Sequence, residues 1–572
     1  MTNPSFMMDE QGVWFCPPAF GDKIPDPIWI CSPLHILAIT RDENNQNHGR
    51  LLKFFDADKT PHCWAMPMEM LAGDGNEYRR ILLSMGLTIA PGKKVREYLT
   101  HYIQSAEPEM RARSVLKTGW INDEAYVFPD KSIVKPGKTE TFIFQSLAKT
   151  PIGYQVSGFL EEWQKNVSAY CIDNSRLAFA VSIAFAAPLL HLLGKENGGF
   201  HFRGPSSNGK TTLLKVATSV FGGKKTVHSW RATSNGLESI AALHNDTLLC
   251  LDELGQANAK EVGEIIYMLA NGMGKLRANK NSSAKEKHEW NVLFLSSGEV
   301  SLMDHMSEAG KKTRGGQEIR IIDIPSSVGN NGAFESLHNF EDGANLSRHL
   351  CHNSEKYFGI PAREYIAKIV SNLDHIISQL KNYMAQFIEI YAPNNMNGQI
   401  DRVLHKFALV AAAGRLATEL GITGWPEEEA FQAASQCFNS WVETRGGLVS
   451  QEEIQALKQV RLFFEQHGDA RFTNWHDTDT FQDNEPNTKT INRAGYKKEV
   501  NGEMNFYVFP EVFKIEICSG LNPEFVAKTS VTRGWVIPDS EGKSSRSEHL
   551  PCSQKSIRCY RFVADKVFGD VI

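Results

Sequence analysis

The stretch GPSSNGKT, from Gly204 to Thr211, has the residue types and spacing of a loop that holds nucleotide phosphates. Its glycines let backbone N–H groups surround a phosphate, because a side chain at those positions would block the approach. Lys210 would bring a positive charge to the β- and γ-phosphates, and Thr211 would offer a hydroxyl to Mg²⁺. The sequence therefore predicts a site for ATP or GTP with Mg²⁺ and, as its residues, Gly204, Ser207, Asn208, Gly209, Lys210, Thr211 and Thr212. The alternative, a chance match in a Gly/Ser loop, is disfavoured by the strand pattern before it and the helix pattern after it.

Two carboxylates follow a second apolar segment. The residues Thr247–Leu251 are typical of a buried strand, and Asp252 and Glu253 come directly after it. We expect this strand to lie beside the strand that precedes the phosphate loop. Asp252 would then hold Mg²⁺ through water, and Glu253 would polarise the attacking water. The ordinary alternative is a buried strand that meets a solvated turn.

A third apolar segment, Asn291–Ser297, ends in small polar residues. Ser297 is predicted to orient the lytic water, with Ser296 as the second choice, while a strand end capped by its own hydroxyl is the competing interpretation. Arg314 and Arg320 come next, and Arg320 opens a further strand pattern. In a ring of subunits, an arginine there would reach the γ-phosphate of the neighbouring subunit, whereas an ordinary structural ion pair is the alternative.

The segment GKLRANKNSSAKEKHEWNVLF, which begins at Gly274, is typical of a β-hairpin with a basic tip. Clustered cations at such a tip are suited to the phosphates of a nucleic-acid strand. A solvated surface hairpin remains the alternative, since most charge runs are of that kind. The candidate nucleic-acid contacts are Lys275, Arg277, Lys280, Lys285 and Lys287.

The elements that must position these residues divide into four predicted segments. Residues 1–150 mix short strand patterns with helices and indicate a small α+β domain. Residues 151–330 alternate strand and helix, as in a parallel α/β sheet, after a nearly all-apolar buried helix. Residues 331–470 are mainly helical, and residues 471–572 combine short strands with one or two helices, as in a winged-helix-like module. The run HDTDTFQDNEPNTK, near the start of the last segment, is predicted to be a flexible loop.

Composition excludes several classes of protein. The chain has 572 residues and a formal net charge of −5, and its N-terminus lacks the basic and apolar regions of a signal peptide. It contains no apolar run long enough to cross a membrane, and its ten cysteines form no CxxC pair. We therefore expect a cytoplasmic protein with free thiols, no membrane association and no structural zinc.

Several long strings, in the same order along most of the chain, resemble a family of helicase-like ATPases of prophages, plasmids and chromosomal islands. This family is catalogued as a domain of unknown function and is related to the MCM-like class of AAA+ replicative helicases. The strings that carry the resemblance are TGWINDEAYVFPD (Thr118–Asp130), GFHFRGPSSNGKTT, SWRATSNGLESIAALHNDTLLCLDELGQ (Ser229–Gln256), YMLANGMGKLRA (Tyr267–Ala278), LFLSSGE, GGQEIRIIDIP, KFALVAAAGRLATELGITGW (Lys406–Trp425) and WVETRGG (Trp441–Gly447).

The resemblance implies an α/β fold with an AAA+ P-loop ATPase core, ATP rather than GTP, and assembly into a ring, with a hexamer as the expected stoichiometry. It implies 3′–5′ movement on DNA, with Ser297 as the sensor, Arg320 as the arginine finger and the hairpin around Lys280 as the pore loop. Many relatives carry an N-terminal primase or zinc module, and we find neither a zinc-ligand cluster nor a recognisable acidic primase motif in this sequence. A separately encoded primase or initiator is therefore an expected partner.

Three functions remain open at this point. The favoured one is an ATP-driven DNA helicase or translocase for the replication of a mobile element. The second is a DNA-stimulated ATPase that remodels or senses nucleic acid, for instance in phage defence, without separating strands. The third, a phosphotransferase for a small molecule, is disfavoured by Asp252 followed by Glu253 and by the basic hairpin.

Overall fold

The computed structural model describes the chain except for short segments and single positions, which are residues 1–4, 20–24, 146–152, 276–287, 312–314, 395, 446, 448–450, 477–489, 552, 554 and 570–572. The chain divides into two compact units. The first comprises Met1–Ala392 and Val403–Ser440, and the second comprises Pro393–Arg402 and Trp441–Ile572. The predicted division into four segments is finer than these two units and stays a prediction.

The N-terminal part of the first unit has the predicted α+β character. Its elements are β1 (Ser5–Asp9), β2 (Gly12–Cys16), β3 (Ile28–Cys31), β4 (Leu34–Arg41), β5 (Gly49–Phe55), β6 (Pro61–Pro67), α1 (Asn76–Ser84), α2 (Lys93–Ser105), β7 (Met110–Val115), β8 (Gly119–Ile121), β9 (Ala125–Val127), β10 (Ser132–Val134) and β11 (Thr141–Phe144). One sheet has the order β11-β7-β4-β5-β6, and β1-β2-β3 and β10-β9-β8 form two antiparallel sheets. Phe54, Tyr78 and Leu99 bring strand and helix side chains into one buried cluster.

Three helices lead into the central sheet, and they are α3 (Leu160–Asn166), α4 (Ser175–Ala186) and α5 (Leu189–Leu193). Every side chain of α4 is buried, which confirms the buried helix that its all-round apolar pattern predicts. Pro188 separates α4 from α5. Within the described part of the chain, no helix has both the length and the apolar content needed to cross a bilayer.

The central sheet is parallel throughout, as its alternation of strand and helix predicts. Its elements are β12 (Gly198–Arg203), α6 (Lys210–Thr218), β13 (Val227–Ser229), α7 (Ser234–Leu243), β14 (Thr247–Asp252), α8 (Val262–Asn271), β15 (Val292–Gly298), α9 (Leu302–Glu308), α10 (Gly315–Glu318) and β16 (Ile321–Pro325). The strand order is β13-β14-β15-β12-β16. The inner strands are buried on both faces, which explains why they are nearly continuous apolar runs.

Helices dominate after the sheet, as predicted, and they are α11 (Gly343–Ser354), α12 (Ile360–Ser371), α13 (Leu373–Tyr391), α14 (Gly398–Glu419) and α15 (Glu429–Thr444). The first of them is attached to the helix that follows the phosphate loop. The hydroxyls of Thr212 on α6 and Ser347 on α11 are 2.6 Å apart, and Lys215 donates to Glu355 at 3.2 Å. These contacts hold α11 along one side of the phosphate loop.

The second unit contains a five-stranded sheet with helices. Beyond α16 (Gln451–His467), its elements are β17 (Phe472–Asn474), β18 (Gly495–Val500), β19 (Glu503–Val508), α17 (Pro510–Val512), a π-helical turn (Phe513–Ile517), α18 (Pro523–Thr532), β20 (Arg546–Glu548), β21 (Ile557–Val563) and α19 (Ala564–Gly569). The strand order is β17-β18-β19-β21-β20, and Phe464, Phe506, Trp535 and Phe562 belong to one buried cluster. The winged-helix-like character stays a prediction, and the predicted flexible run lies, after His476, outside the described residues.

Candidate nucleotide site

The phosphate loop joins the end of β12 to the start of α6. Gly209 has a φ of 90°, in the left-handed region, and Lys210 is the first residue of α6. A Cβ at Gly204 would lie 2.2 Å from the hydroxyl oxygen of Ser326, so any side chain there would displace that hydroxyl. The two glycines therefore shape the loop, and the loop leads directly into the N-terminus of α6, which is the positive end of that helix.

Lys210 is buried, and its ammonium group lies over the loop. The group donates hydrogen bonds to the carbonyl oxygens of Gly204 at 2.8 Å and Pro205 at 2.6 Å. Asn208 ties the loop to the segment after β16, because its side-chain amide donates to the hydroxyls of Ser326 at 2.8 Å and Ser327 at 3.0 Å. The charge of Lys210 thus has a defined position within a loop that is braced from outside.

Asp252 is the centre of the hydrogen bonds at the mouth of the loop. The hydroxyl of Thr211 is 3.5 Å from Oδ2 of Asp252, and the hydroxyl of Ser297 donates to Oδ1. The backbone N–H of Glu253 donates to the same Ser297 oxygen at 3.3 Å. Residues from α6, β14 and β15 therefore meet at one point.

Glu253 has an unusual backbone conformation for a residue with a side chain. Its φ is 62°, in the left-handed region that favours glycine. Such a conformation costs about 1–3 kcal/mol, and residues that adopt it cluster at active sites. The sharp turn places Glu253 beside Asp252 on the wall of the same cavity.

The predicted adjacency of the two site strands is wrong. β14, which ends at Asp252, does not pair with β12, because β15 lies between them and pairs with both. Parallel strands present their carboxyl ends at the same edge of a sheet, so Asp252 still faces the phosphate loop across β15. The inserted strand is what brings Ser297 next to Asp252.

The two adjacent serines of β15 have different surroundings. Ser296 accepts a hydrogen bond from the indole N–H of Trp230 at 2.9 Å and lies 2.9 Å from Nδ1 of His201. Nε2 of His201 is 3.1 Å from the carbonyl of Val300, which can only accept, so Nδ1 accepts from Ser296. Burial lowers the pKa of His201 to about 4, which keeps the ring neutral. Ser296 is therefore held in a buried packing network, whereas Ser297 faces Asp252.

A cavity of about 790 Å³ lies over the loop. It is lined by the loop, by Thr211 and Thr212 of α6, by Asp252 and Glu253, and by residues of α11 and the segment before α11. Arg348 of α11 adds a cation to this wall, and the sequence analysis did not identify it. It belongs to no motif, and its place depends on the packing of α11 against α6.

Arg320 lies outside this cavity. It precedes β16, its guanidinium donates to the carbonyl of Gly316 at 2.6 Å, and it lies 4.5 Å from the ring centre of Tyr267. It lines a different cavity, together with Asp246 and Met273. Arg314, the other candidate finger, lies outside the described residues.

The base of the predicted basic hairpin is present. Met273 and Glu289 form an antiparallel bridge, and the N–H of Gly274 donates to the carbonyl of His288 at 2.8 Å. Lys275 is exposed at this base. The remaining candidate nucleic-acid contacts lie outside the described residues, and they are Arg277, Lys280, Lys285 and Lys287.

The chain is similar to known proteins in part of its sequence and in its fold. The family model described as Domain of unknown function (DUF927) matches residues 6–289. No curated protein sequence matches the chain. A solved structure described as "SCCmec type IV Cch - active helicase" superposes with a TM-score of 0.68 at 15% identity, over 99% of each chain. At that identity the likeness establishes the fold, and the chain is a mixed α/β protein with the fold of this helicase structure.

A second solved structure is much less similar. It is described as "The A form apo structure of NrS-1 C terminal region-CTR", and it covers 68% of this chain and 87% of its own at 11% identity. Its TM-score is 0.28, which is too low to support an argument.

Proposed function

We propose that the chain is an ATP-driven DNA helicase or translocase that serves the replication of a mobile genetic element. The observation that carries this proposal is the meeting of Thr211, Asp252 and Ser297, with Glu253 alongside, at the mouth of a phosphate loop. The fold supports it, because the protein described as "SCCmec type IV Cch - active helicase" shares that fold over 99% of both chains.

The residues present fit Mg²⁺ and ATP. Gly209 lets the backbone enter α6 with a left-handed φ, and Lys210 supplies a buried positive charge beside the loop. Thr211 and Asp252 offer the hard oxygen donors that Mg²⁺ prefers, and both line the same cavity. When bound, Mg²⁺ would neutralise part of the charge on the β- and γ-phosphates.

The mechanism divides the work among these side chains. Lys210 and Arg348 would bind the phosphates from two sides of the cavity. Asp252 would position the metal, and Ser297 would hold the orientation of Asp252 through its hydrogen bond. Glu253 would orient the attacking water and accept its proton.

We also propose that the protein assembles into a ring of subunits. Arg320 is outside its own subunit's nucleotide cavity, so we propose that it acts on the ATP of a neighbouring subunit in a ring, with a hexamer as the expected state. The basic hairpin would contact single-stranded DNA, and the direction of movement would be 3′–5′ as in MCM-like AAA+ motors. A separately encoded primase or initiator in the cytoplasm would be its partner.

Strand separation distinguishes this function from a DNA-stimulated ATPase that remodels or senses nucleic acid. The test is to mix the purified protein with ATP, Mg²⁺ and a forked duplex and to follow release of one strand. We expect release that requires ATP. ATP hydrolysis that DNA stimulates, without strand release, would favour the second function.

A further inference from the structure

A cavity in the N-terminal part of the first unit is lined by three arginines. It has a volume of about 450 Å³ and lies between α1 and the chain that leads into α2. Arg79 and Arg80 come from α1 and Arg96 from the first turns of α2, and we call this feature the arginine pocket. Its wall contains no carboxylate.

Arg79 is built into the wall of the pocket. Its side chain is buried, and its NH2 donates to the carbonyl of Asp74 at 2.5 Å and to Oδ1 of Asn76 at 2.8 Å. Both acceptors are uncharged, so they fix the guanidinium without neutralising it. Arg80 and Arg96 are exposed at the rim.

The three guanidinium groups have no ion-pair partner among the described residues. Elsewhere in the same part of the chain, arginines are neutralised, since Arg41 and Arg113 both pair with Glu140, at 2.7 and 2.9 Å. Lys93 and Lys94, the first two residues of α2, add two further charges close to Arg96 in the sequence. The first turn of α2 has no acidic residue, although the start of a helix is its positive end and favours acidic side chains. A bound anion would offset the positive charge of these unpaired guanidinium groups.

The pocket also has an apolar wall. Leu83 is 55% exposed, although it is a large hydrophobic side chain, and Pro91 also lines the pocket. Arginines bind phosphate through paired hydrogen bonds, and an apolar wall beside them suits the face of an unstacked base. A base inside a duplex is stacked and cannot make that contact.

We propose that the arginine pocket binds the backbone of single-stranded DNA, with an unstacked base against Leu83. The inference rests on the proposed function as a DNA motor and adds a second DNA contact, far along the chain from the basic hairpin. The ligand that the pocket suits is a phosphate diester next to an apolar group.

The salt dependence of DNA affinity tests the proposal. The affinity of the full chain for a fluorescein-labelled oligothymidine is measured by anisotropy over a series of salt concentrations. For single strands, each phosphate contact contributes about 0.7 to the slope of log affinity against log salt. In the double variant Arg80→Ala/Arg96→Ala we expect the slope to fall by about 1.4, and in Arg80→Lys/Arg96→Lys we expect it to be retained.

A matched control removes the same charge outside the pocket. Arg111→Ala/Lys131→Ala replaces two exposed cations of the same part of the chain, and its slope should equal that of the wild type. The thermal midpoint of each variant shows that it is folded. A blunt duplex measured in parallel should show the same slope with the pocket variants as with the wild type.

The outcomes separate this proposal from the proposed function. Wild-type binding with an unchanged slope in Arg80→Ala/Arg96→Ala would overturn the arginine pocket and leave the motor standing. An equal loss of slope on the duplex would overturn the assignment to single strands. A wild-type protein that binds no DNA would overturn the proposed function itself.

Discussion

Ser297 donates its hydroxyl hydrogen bond to Oδ1 of Asp252 from the strand that separates β14 from the phosphate-loop strand. The same hydroxyl oxygen accepts the backbone N–H of Glu253 at 3.3 Å. One buried serine thus positions both carboxylate residues that we assign to the metal and to the attacking water. The geometry of the site depends on it.

Ser297→Ala should therefore weaken metal use rather than folding. Loss of an outer partner of a metal ligand costs about 10–100-fold in metal affinity or activity, so the Mg²⁺ concentration for half-maximal ATP hydrolysis should rise within that range. The measurement is a Mg²⁺ titration of hydrolysis. Ser296→Ala is the control, because it removes partners of Trp230 and His201 and should lower the denaturation midpoint without moving the Mg²⁺ requirement. Equal Mg²⁺ requirements in the wild type and Ser297→Ala would contradict the assignment.

Lys210→Ala should abolish nucleotide binding. A hydrogen bond to a charged group contributes about 1.5–3 kcal/mol, so loss of contacts to two phosphates weakens affinity by about 100-fold or more. Binding of a fluorescent ATP analogue measures the change. Lys215→Ala, on the same helix but paired with Glu355, should keep wild-type affinity. If both variants bind nucleotide equally, Lys210 is not a phosphate ligand.

Arg320→Ala alone should lose ATP hydrolysis, and mixing it with a second inactive variant, Lys210→Ala, should restore part of that activity. Its own phosphate loop is intact, so mixing it with Lys210→Ala places a functional Arg320 beside a functional loop at some subunit interfaces. We expect each variant alone to be inactive and the mixture to recover part of the activity, since such an arginine is worth roughly 10³–10⁵ in rate. A mixture that stays inactive, although both proteins assemble, would mean that Arg320 has only a structural role through its contacts with Gly316 and Tyr267.

Asp246→Asn should change how stability depends on pH. Oδ2 of Asp246 accepts from the N–H of Trp120 at 3.0 Å and from Asn245 at 2.8 Å, and burial raises the pKa of this carboxyl to about 6. Because the folded pKa is raised, the folded protein holds a proton that the unfolded chain has released. Its stabilising contribution is lost as the pH rises through about 6.

The measurement compares urea midpoints at pH 5 and pH 7.5. The wild type should lose on the order of 1 kcal/mol more than Asp246→Asn over this interval. Asp374→Asn is a control, because that side chain is 93% exposed. If wild type and Asp246→Asn change in parallel, the Asp246 carboxyl does not titrate in this interval.

The candidate site could be predicted where the residues are local in sequence. The segment from Gly204 to Thr212 is one loop and one helix start, so spacing alone places its side chains. The position of Asp252 was predictable for a different reason. The carboxyl end of an apolar strand in a parallel sheet faces the edge where loops bind ligands. The parallel sheet follows from the alternation of apolar strands with helices.

The order of the strands could not be read in the same way. Thr247–Leu251 and Asn291–Ser297 are both apolar runs that end in polar residues, and nothing local determines which of them pairs with β12. That choice is made by packing across the whole sheet. Arg348 and the arginine pocket depend likewise on helices that come together from separate places in the chain.

The decisive measurement for a DNA motor is ATP hydrolysis by the wild type and by Glu253→Gln, each with and without single-stranded DNA. The amide retains the size of the side chain but cannot accept the proton of the attacking water, so nucleotide should still bind while hydrolysis falls by at least about 100-fold. We predict hydrolysis that DNA stimulates in the wild type and its loss in Glu253→Gln. Hydrolysis that ignores DNA, or that persists at the wild-type rate in Glu253→Gln, would contradict the account.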